Sequence, residues 1–290
     1  MIYLFLSVLV SSSLFVIFKL FNKYQVNTFN AIVINYLVAS ITGLLLYPSP
    51  WNIAQVTGSA WFPGTVFLGF MFIFIFMVMA RTAQEIGLSV ASVAGKMSLV
   101  IPVIFGIAVY GESMNIIKSA GIILALAAVY LVSLKADEPN RLNRNKWFLP
   151  AILFAGSGII DTTLKYLESK YVAQEAFPLY SSSIFAIAAL AGSTVLIYRL
   201  STGKLSFRPK DILGGIFLGI PNYFSIYFIL KALKQDAMES SVVFSVNNVA
   251  IVLLTTIFGI VLFREKLQPK NWIGVVLAMI SILLITFSKL

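Results

Sequence analysis

Residues 105–112 read FGIAVYGE and residues 258–265 read FGIVLFRE, and a glycine follows each at the same distance, Gly121 and Gly274. Each stretch closes an apolar run, crosses a short loop and opens another apolar run. Further matches occur in the same order. FLG at residues 67–69 returns at 217–219, with a cation at equal spacing after each, Arg81 and Lys231. SSSLFVIFK at residues 11–19 parallels SGIIDTTLK at 157–165 in its leading serine and closing lysine. Ordered matches of this kind indicate a duplication. The longest polar stretch, KADEPNRLNRNK at residues 135–146, falls between the copies. The chain is therefore read as a first repeat over residues 1–137, a polar linker over 138–146 and a second repeat over 147–290.

With 290 residues, 59% of them hydrophobic and only 11% charged, the chain is not an ordinary soluble domain. A spanning helix needs about 20 mostly apolar residues. On that criterion ten segments stand out, at 2–21, 29–47, 60–80, 86–110, 115–134, 147–167, 176–199, 212–233, 240–263 and 270–288. Lipid cannot satisfy backbone hydrogen bonds, and runs this long are too long for barrel strands, so the segments are helices. The expected fold is an all-α polytopic membrane protein of ten transmembrane helices in a 5+5 inverted repeat. The inversion follows from the odd number: after five crossings the second copy enters from the opposite side. Secondary transporters use this architecture and hold the substrate between the repeats near mid-bilayer. The first segment has no basic region before it and no small-residue cleavage site, so it is expected to stay as a helix.

The sequence resembles the EamA-type branch of the drug/metabolite transporter superfamily over essentially its whole length. The matching residues are Pro102 and Glu112 in the first half and Ser245, Glu265 and Gly274 in the second. Thr255 stands near the place where the second half lacks the proline, so a proline-dependent helix break would be one-sided. The resemblance implies a central cavity lined by the first four helices of each half, peripheral fifth and tenth helices, and transport of small metabolites.

Lys96 is the one charge within residues 86–110. A lysine at the centre of a span costs about 2.5 to 3.5 kcal/mol on insertion scales, so it should face protein or water. Ser89 and Ser92 share its helix face. On the ninth helix Ser241, Ser245 and Asn248 repeat that spacing, with Asn247 adjacent. Two corresponding helices thus carry polar stripes suited to a shared cavity. In one reading Lys96 attracts a substrate anion while the serines, Asn247 and Asn248 supply hydrogen bonds. In the other it is capped by serine and by carbonyls freed at Pro102. Asp161 lies well inside the sixth span with Lys165 one turn on, giving either a local ion pair or a proton-binding step in coupling. Lys19, at the matching place in the first helix, is expected to reach the membrane interface. Pro221 in the eighth span is expected to loosen that helix, which makes Asn222 and Tyr223 further binding candidates. Glu112 and Glu265 sit at helix ends, where capping or loop pairing is expected.

The chain has no cysteine and no histidine, which excludes disulfides, thiol chemistry and His-based metal or base chemistry. No metal and no cofactor are expected. The formal charge of +10 is spread over short loops with no basic domain, so nucleic acid is not an expected partner. The expected partners are a small-molecule substrate, the lipid bilayer and a second copy in a homodimer. A multi-pass plasma-membrane location, the inner membrane of a bacterium, fits these features. The leading function is a secondary transporter, exporter or exchanger, and not an enzyme, because a Walker motif and paired intramembrane acids are absent. The alternatives are a lipid-modifying membrane enzyme and a membrane scaffold. Alternating the loops puts most basic residues on the side holding Lys19, Lys23, Arg81 and the 135–146 loop, so the positive-inside rule places neither terminus in the cytoplasm. The family resemblance implies the reverse.

Overall fold

The computed structural model of the chain describes residues 2–47, 49–110, 114–133, 147–202, 208–233 and 240–287. They form helices α1 (Ile2–Lys23), α2 (Thr28–Leu45), α3 (Ile53–Thr57), α4 (Phe62–Glu85), α5 (Leu88–Met97) and α6 (Val100–Tyr110). Then follow α7 (Ile116–Ser133), α8 (Phe148–Tyr171), α9 (Phe177–Ser201), α10 (Pro209–Leu233), α11 (Ser240–Phe263) and α12 (Pro269–Phe287). Among the described residues nine helical stretches are long and apolar enough to cross a membrane, and the shorter apolar stretch Ile116–Leu131 adds a tenth. The chain is an all-α polytopic membrane protein. Two features depart from the segment pattern read in the sequence. The short α3, capped by the Asn52 side chain on the Gln55 N–H at 2.7 Å, lies in the connection between α2 and α4. The fourth span is also divided, with α5 ending at Met97 and α6 starting at Val100.

That division has a local cause. Pro102 has no N–H to give, and its ring clashes with the carbonyl four residues back, that of Ser98. The Ser98 carbonyl instead accepts from the Ile101 N–H at 2.9 Å, and the Lys96 carbonyl accepts from Leu99 N–H at 3.4 Å, so the turn tightens there. The Ser98 hydroxyl donates to the Gly95 carbonyl at 2.6 Å. By contrast α10 runs unbroken through Pro221. The expected loosening of the eighth span is therefore not seen, and the one-sided break falls at Pro102.

The chain forms two compact units, and each draws on both repeats. The first holds Met1–Lys19, Val78–Ile159 and Phe224–Leu290; the second holds Leu20–Met77 and Ile160–Tyr223. In the first, α7 and α12 run antiparallel. The Ser281 hydroxyl donates to the Gly121 carbonyl at 2.7 Å near one end, and the Asn271 amide donates to the Leu131 carbonyl at 3.2 Å near the other. α5 and α11 are likewise antiparallel, with Ser92 against Thr255 and Leu88 against Glu265. In the second unit α2 and α9 are antiparallel, joined by the Ser40 hydroxyl on the Ser182 carbonyl at 3.0 Å and by Tyr36 stacked on Phe185. Each of these pairs joins a helix to its repeat mate. Antiparallel pairing of equivalent helices is the signature of an in-plane two-fold axis, the inverted repeat.

Lipid is as apolar as leucine, so these helices are held by close approach and by polar contacts rather than by a hydrophobic driving force. The repeated FLG triplets show how. A β-carbon on Gly69 of α4 would lie 3.0 Å from the Ala188 nitrogen of α9, and one on Gly219 of α10 would lie 2.7 Å from the Asn35 carbonyl oxygen of α2. Each repeat's third span thus seats its glycine on the other repeat's second span. Gly215 and Gly219 form a GxxxG step against α2, and one turn on the Asn222 amide donates to the Asn35 amide oxygen at 3.1 Å.

Candidate functional site

The first unit carries Lys96, Ser89, Ser92, Asn247 and Asn248; the second carries Asn222, Tyr223, Asp161 and Lys165. The side chains of Ser245 and Ser241, and all of Glu112, lie outside the described residues.

In the first unit the α5 face is polar as its spacing predicts. Ser89 and Ser92 are fully buried, and the Ser92 and Thr255 hydroxyl oxygens are 2.7 Å apart. Ser92 also donates to the Ser89 carbonyl at 3.1 Å. The Ser89 hydroxyl is buried with no hydrogen-bond partner among the described residues. Lys96, one turn beyond Ser92, is half-buried beside the helix break. A β-carbon on its neighbour Gly95 would meet nothing within 4 Å, in contrast to the glycines that seat helix against helix. Thr255, passed over in the sequence as a missing proline, is thus the α11 residue that meets the α5 stripe. Thr255→Val is expected to lower stability by ~1 kcal/mol, mid-range for a hydrogen bond between membrane helices. In a double-mutant thermal-melt cycle with Ser92→Ala, strictly additive losses would refute the pairing.

Asn247 faces α1, where the Ser7 hydroxyl donates to its amide oxygen at 3.0 Å. Asn248 is buried. Ser7, a serine among apolar residues, gave no signal beyond its polarity. Nearby in the fold, α1 and α10 bring together half-buried rings. Tyr3 stacks on Phe228 at 6.4 Å, Phe224 stacks on Phe228 at 5.4 Å, and Tyr227 meets both edge-on. Lys231 lies over the Tyr227 ring at 5.6 Å. In the second unit Asn222 is engaged with Asn35, and Tyr223 is buried against Gly43. Asp161 and Lys165 lie a turn apart on α8, both exposed. Among the described residues no group of three acids is placed to hold a metal ion.

The ion pair at the end of the first unit was not legible in the sequence. Lys19 lies 3.3 Å from Glu265 and donates to the Gln84 carbonyl at 3.4 Å. Glu265 caps a helix, as a glutamate at a helix end should, but not its own. Its two carboxylate oxygens accept from the Leu88 N–H at 2.8 and 3.1 Å, at the start of α5. The partial positive charge of a helix N-terminus favours an anion there by up to ~2 kcal/mol in partly buried geometry. Two glycines make the seat. Gly87 has φ +151°, a conformation only glycine adopts readily, and a β-carbon on Gly259 would lie 2.6 Å from Glu265 Oε2. Just past the end of α11, Arg264 takes φ +53°, and the Glu265 N–H returns to the Gly259 carbonyl at 3.0 Å, which turns the carboxylate towards α5.

These features fit a known group of proteins. Over 287 residues the chain is 26% identical to an uncharacterized protein of Haemophilus influenzae, covering 96% of this chain and 95% of that one. It is 23% identical over 225 residues to a Listeria monocytogenes and a Listeria innocua protein, each provisionally named for sugar uptake, covering 74% of this chain and 77% of each. A solved crystal structure shares its fold with a TM-score of 0.61 at 17% identity, over 99% of this chain and 96% of that one. The profile of the EamA-like transporter family matches residues 1–134 and 141–287. With the profile covering nearly all of an all-α chain in which equivalent helices pair antiparallel, the protein belongs to the EamA-like transporter family.

Proposed function

We propose that the protein is a secondary transporter that moves a small polar or amphipathic metabolite by alternating access, with Lys96 as the group that attracts the substrate's negatively charged end. The observation carrying this reading is Lys96 itself: a half-buried cation inside a span, at a helix break, beside the open space next to Gly95. A charge in a membrane span is a functional residue by default, because burial without a purpose is costly. Ser89, Ser92, Ser245, Asn247 and Asn248 are the hydrogen-bonding partners proposed for the same substrate, and Asn222 and Tyr223 of the second unit are proposed as binding residues in their own right. The half-buried rings of Tyr3, Phe224, Tyr227 and Phe228 suit a substrate with an apolar or ring-shaped body. The sugar-uptake names of the Listeria relatives make hydroxyl-rich compounds one class to test. Asp161 and Lys165, exposed and one turn apart, are proposed to serve coupling. A bacterial plasma membrane is the proposed location, and the chain's two repeats are proposed to meet in the 138–146 linker.

The test is thermal stabilisation of the purified protein and of Lys96→Met by amino acids, organic acids, sugars, nucleosides and cationic drugs. A compound at a hundredfold excess over its Kd adds ~2.7 kcal/mol to stability. Anionic or zwitterionic compounds are expected to stabilise the wild type and to lose that effect in Lys96→Met. Equal stabilisation of both proteins would make Lys96 a structural residue.

A further inference from the structure

We propose that Lys19 and Glu265 form a latch that holds the α5 N-terminal end of the first unit shut, and that this end opens when the latch parts. The inference rests on the alternating-access reading above. Three chain segments converge on the latch: the α1 stretch ending at Lys19, the α4–α5 turn and the α11–α12 turn. Lys19 bonds Glu265 and the Gln84 carbonyl, the Gln84 amide donates to the Phe18 carbonyl at 2.8 Å, and Glu265 holds the Leu88 N–H. Charges at helix ends ordinarily stand in water. Here the side chains are only 19% and 11% exposed, so the surrounding segments close over them.

Further along the same helix the situation reverses, since the space beside Gly95 is open. One helix thus runs from a shut end to an unfilled space, an asymmetry that alternating access requires of each end state. The joint is also built to part cleanly. The carboxylate sits in a notch made by Gly87 and Gly259, where no β-carbon stands beside it. Once apart, Lys19 and Glu265 can each be hydrated, and the Leu88 N–H is one of the helix-start donors that water satisfies readily.

The chain has no cysteine, so a single Gly95→Cys reports access without a background. The probe is a charged, membrane-impermeant methanethiosulfonate applied separately to each face of sealed vesicles. With the latch intact, Gly95→Cys is expected to react poorly from the face where α5 begins. Adding Glu265→Gln, which removes the charge at nearly constant size, should raise the rate from that face about tenfold, the shift that ~1.4 kcal/mol gives. Lys19→Met should raise it too while leaving the Glu265 cap on Leu88, which keeps the test readable should Glu265→Gln fail to reach the membrane. Lys19→Arg should restore the low rate. Unchanged labelling from that face in both charge-removing variants, or equally fast labelling from both faces with the latch intact, overturns the proposal. No substrate enters this readout. Unchanged labelling therefore leaves the transporter reading standing, and a failed ligand screen leaves the labelling result standing.

Discussion

Gly219→Leu is expected to leave little folded protein, whereas Gly95→Ala is expected to leave the fold intact. A β-carbon on Gly219 falls 2.7 Å from both the Asn35 carbonyl oxygen and Val38 Cβ of α2. The nearest of these atoms is backbone, so no rotamer change relieves the contact and the helices must separate. Separation also breaks the Asn222–Asn35 amide pair one turn away, leaving a buried acceptor unsatisfied. Overpacking alone costs about 1–3 kcal/mol, and with the lost amide pair the total should exceed ~3 kcal/mol, enough to unfold a marginally stable protein. Gly69→Leu should behave alike, because its repeat-related contact with Ala188 is also to backbone. Gly95 has nothing within 4 Å, so alanine there should gain ~0.5 kcal/mol from helix propensity while narrowing the space beside Lys96. Monodispersity after detergent extraction and the thermal midpoint decide both. A Gly219→Leu protein that extracts and melts like the wild type would mean that α2 and α10 do not approach as closely as described.

The same contacts explain which parts of the fold could be read from the sequence. Hydropathy and length fixed the spans because lipid leaves the backbone no alternative to helix. The recurrence of FGI with a glutamate, and of FLG, pointed to the duplication; the structure shows what the FLG glycines do, since Gly69 and Gly219 seat equivalent helices, and in the second copy Gly259 makes room for Glu265. Sequence spacing reveals partners a turn apart, as for the Ser89, Ser92 and Lys96 stripe. It is silent on partners far apart in the chain. Glu265 finds Leu88 across 177 positions, and Ser92 finds Thr255 across 163. For the same reason Lys19, with no acid one turn before it, looked solitary until the fold brought Glu265 to it. Pro102 and Pro221 carry equal local signals yet act differently. A proline removes one hydrogen bond, and whether the helix then parts depends on its surroundings. At Pro102 the Ser98 hydroxyl and a tightened turn take over the bonding, while at Pro221 the very next residue, Asn222, is held on Asn35.

Asp211→Ala is expected to be among the most damaging substitutions outside the proposed site, by ~2–4 kcal/mol. Asp211 lies in the first turn of α10 and is fully buried. It is easily missed, because a carboxylate at the start of a span reads as an ordinary loop charge. In the second unit it accepts from the Asn27 N–H at 2.8 Å, the Asn30 amide at 3.0 Å and the Arg208 N–H at 3.4 Å. Asn27 in turn caps α2 by accepting from the Asn30 N–H at 3.2 Å, and Lys210 donates to the Tyr24 carbonyl at 3.1 Å. One carboxylate therefore fixes the α1–α2 turn, where Gln25 takes φ +53°, to the start of α10. Removing it strands the donors it satisfied, each costing about 1–3 kcal/mol when buried, though not additively. Asp211→Asn keeps one acceptor oxygen and loses the charge, so it should fall between, at ~1–2 kcal/mol. A charge needed only for topology or solubility predicts another ranking: Asp211→Asn would then be as harmful as Asp211→Ala, and Asp211→Glu would be harmless. The order of thermal midpoints among the three variants separates the two accounts, because only a hydrogen-bond hub makes alanine the worst and penalises the longer acid for displacing its oxygens from Asn27 and Asn30.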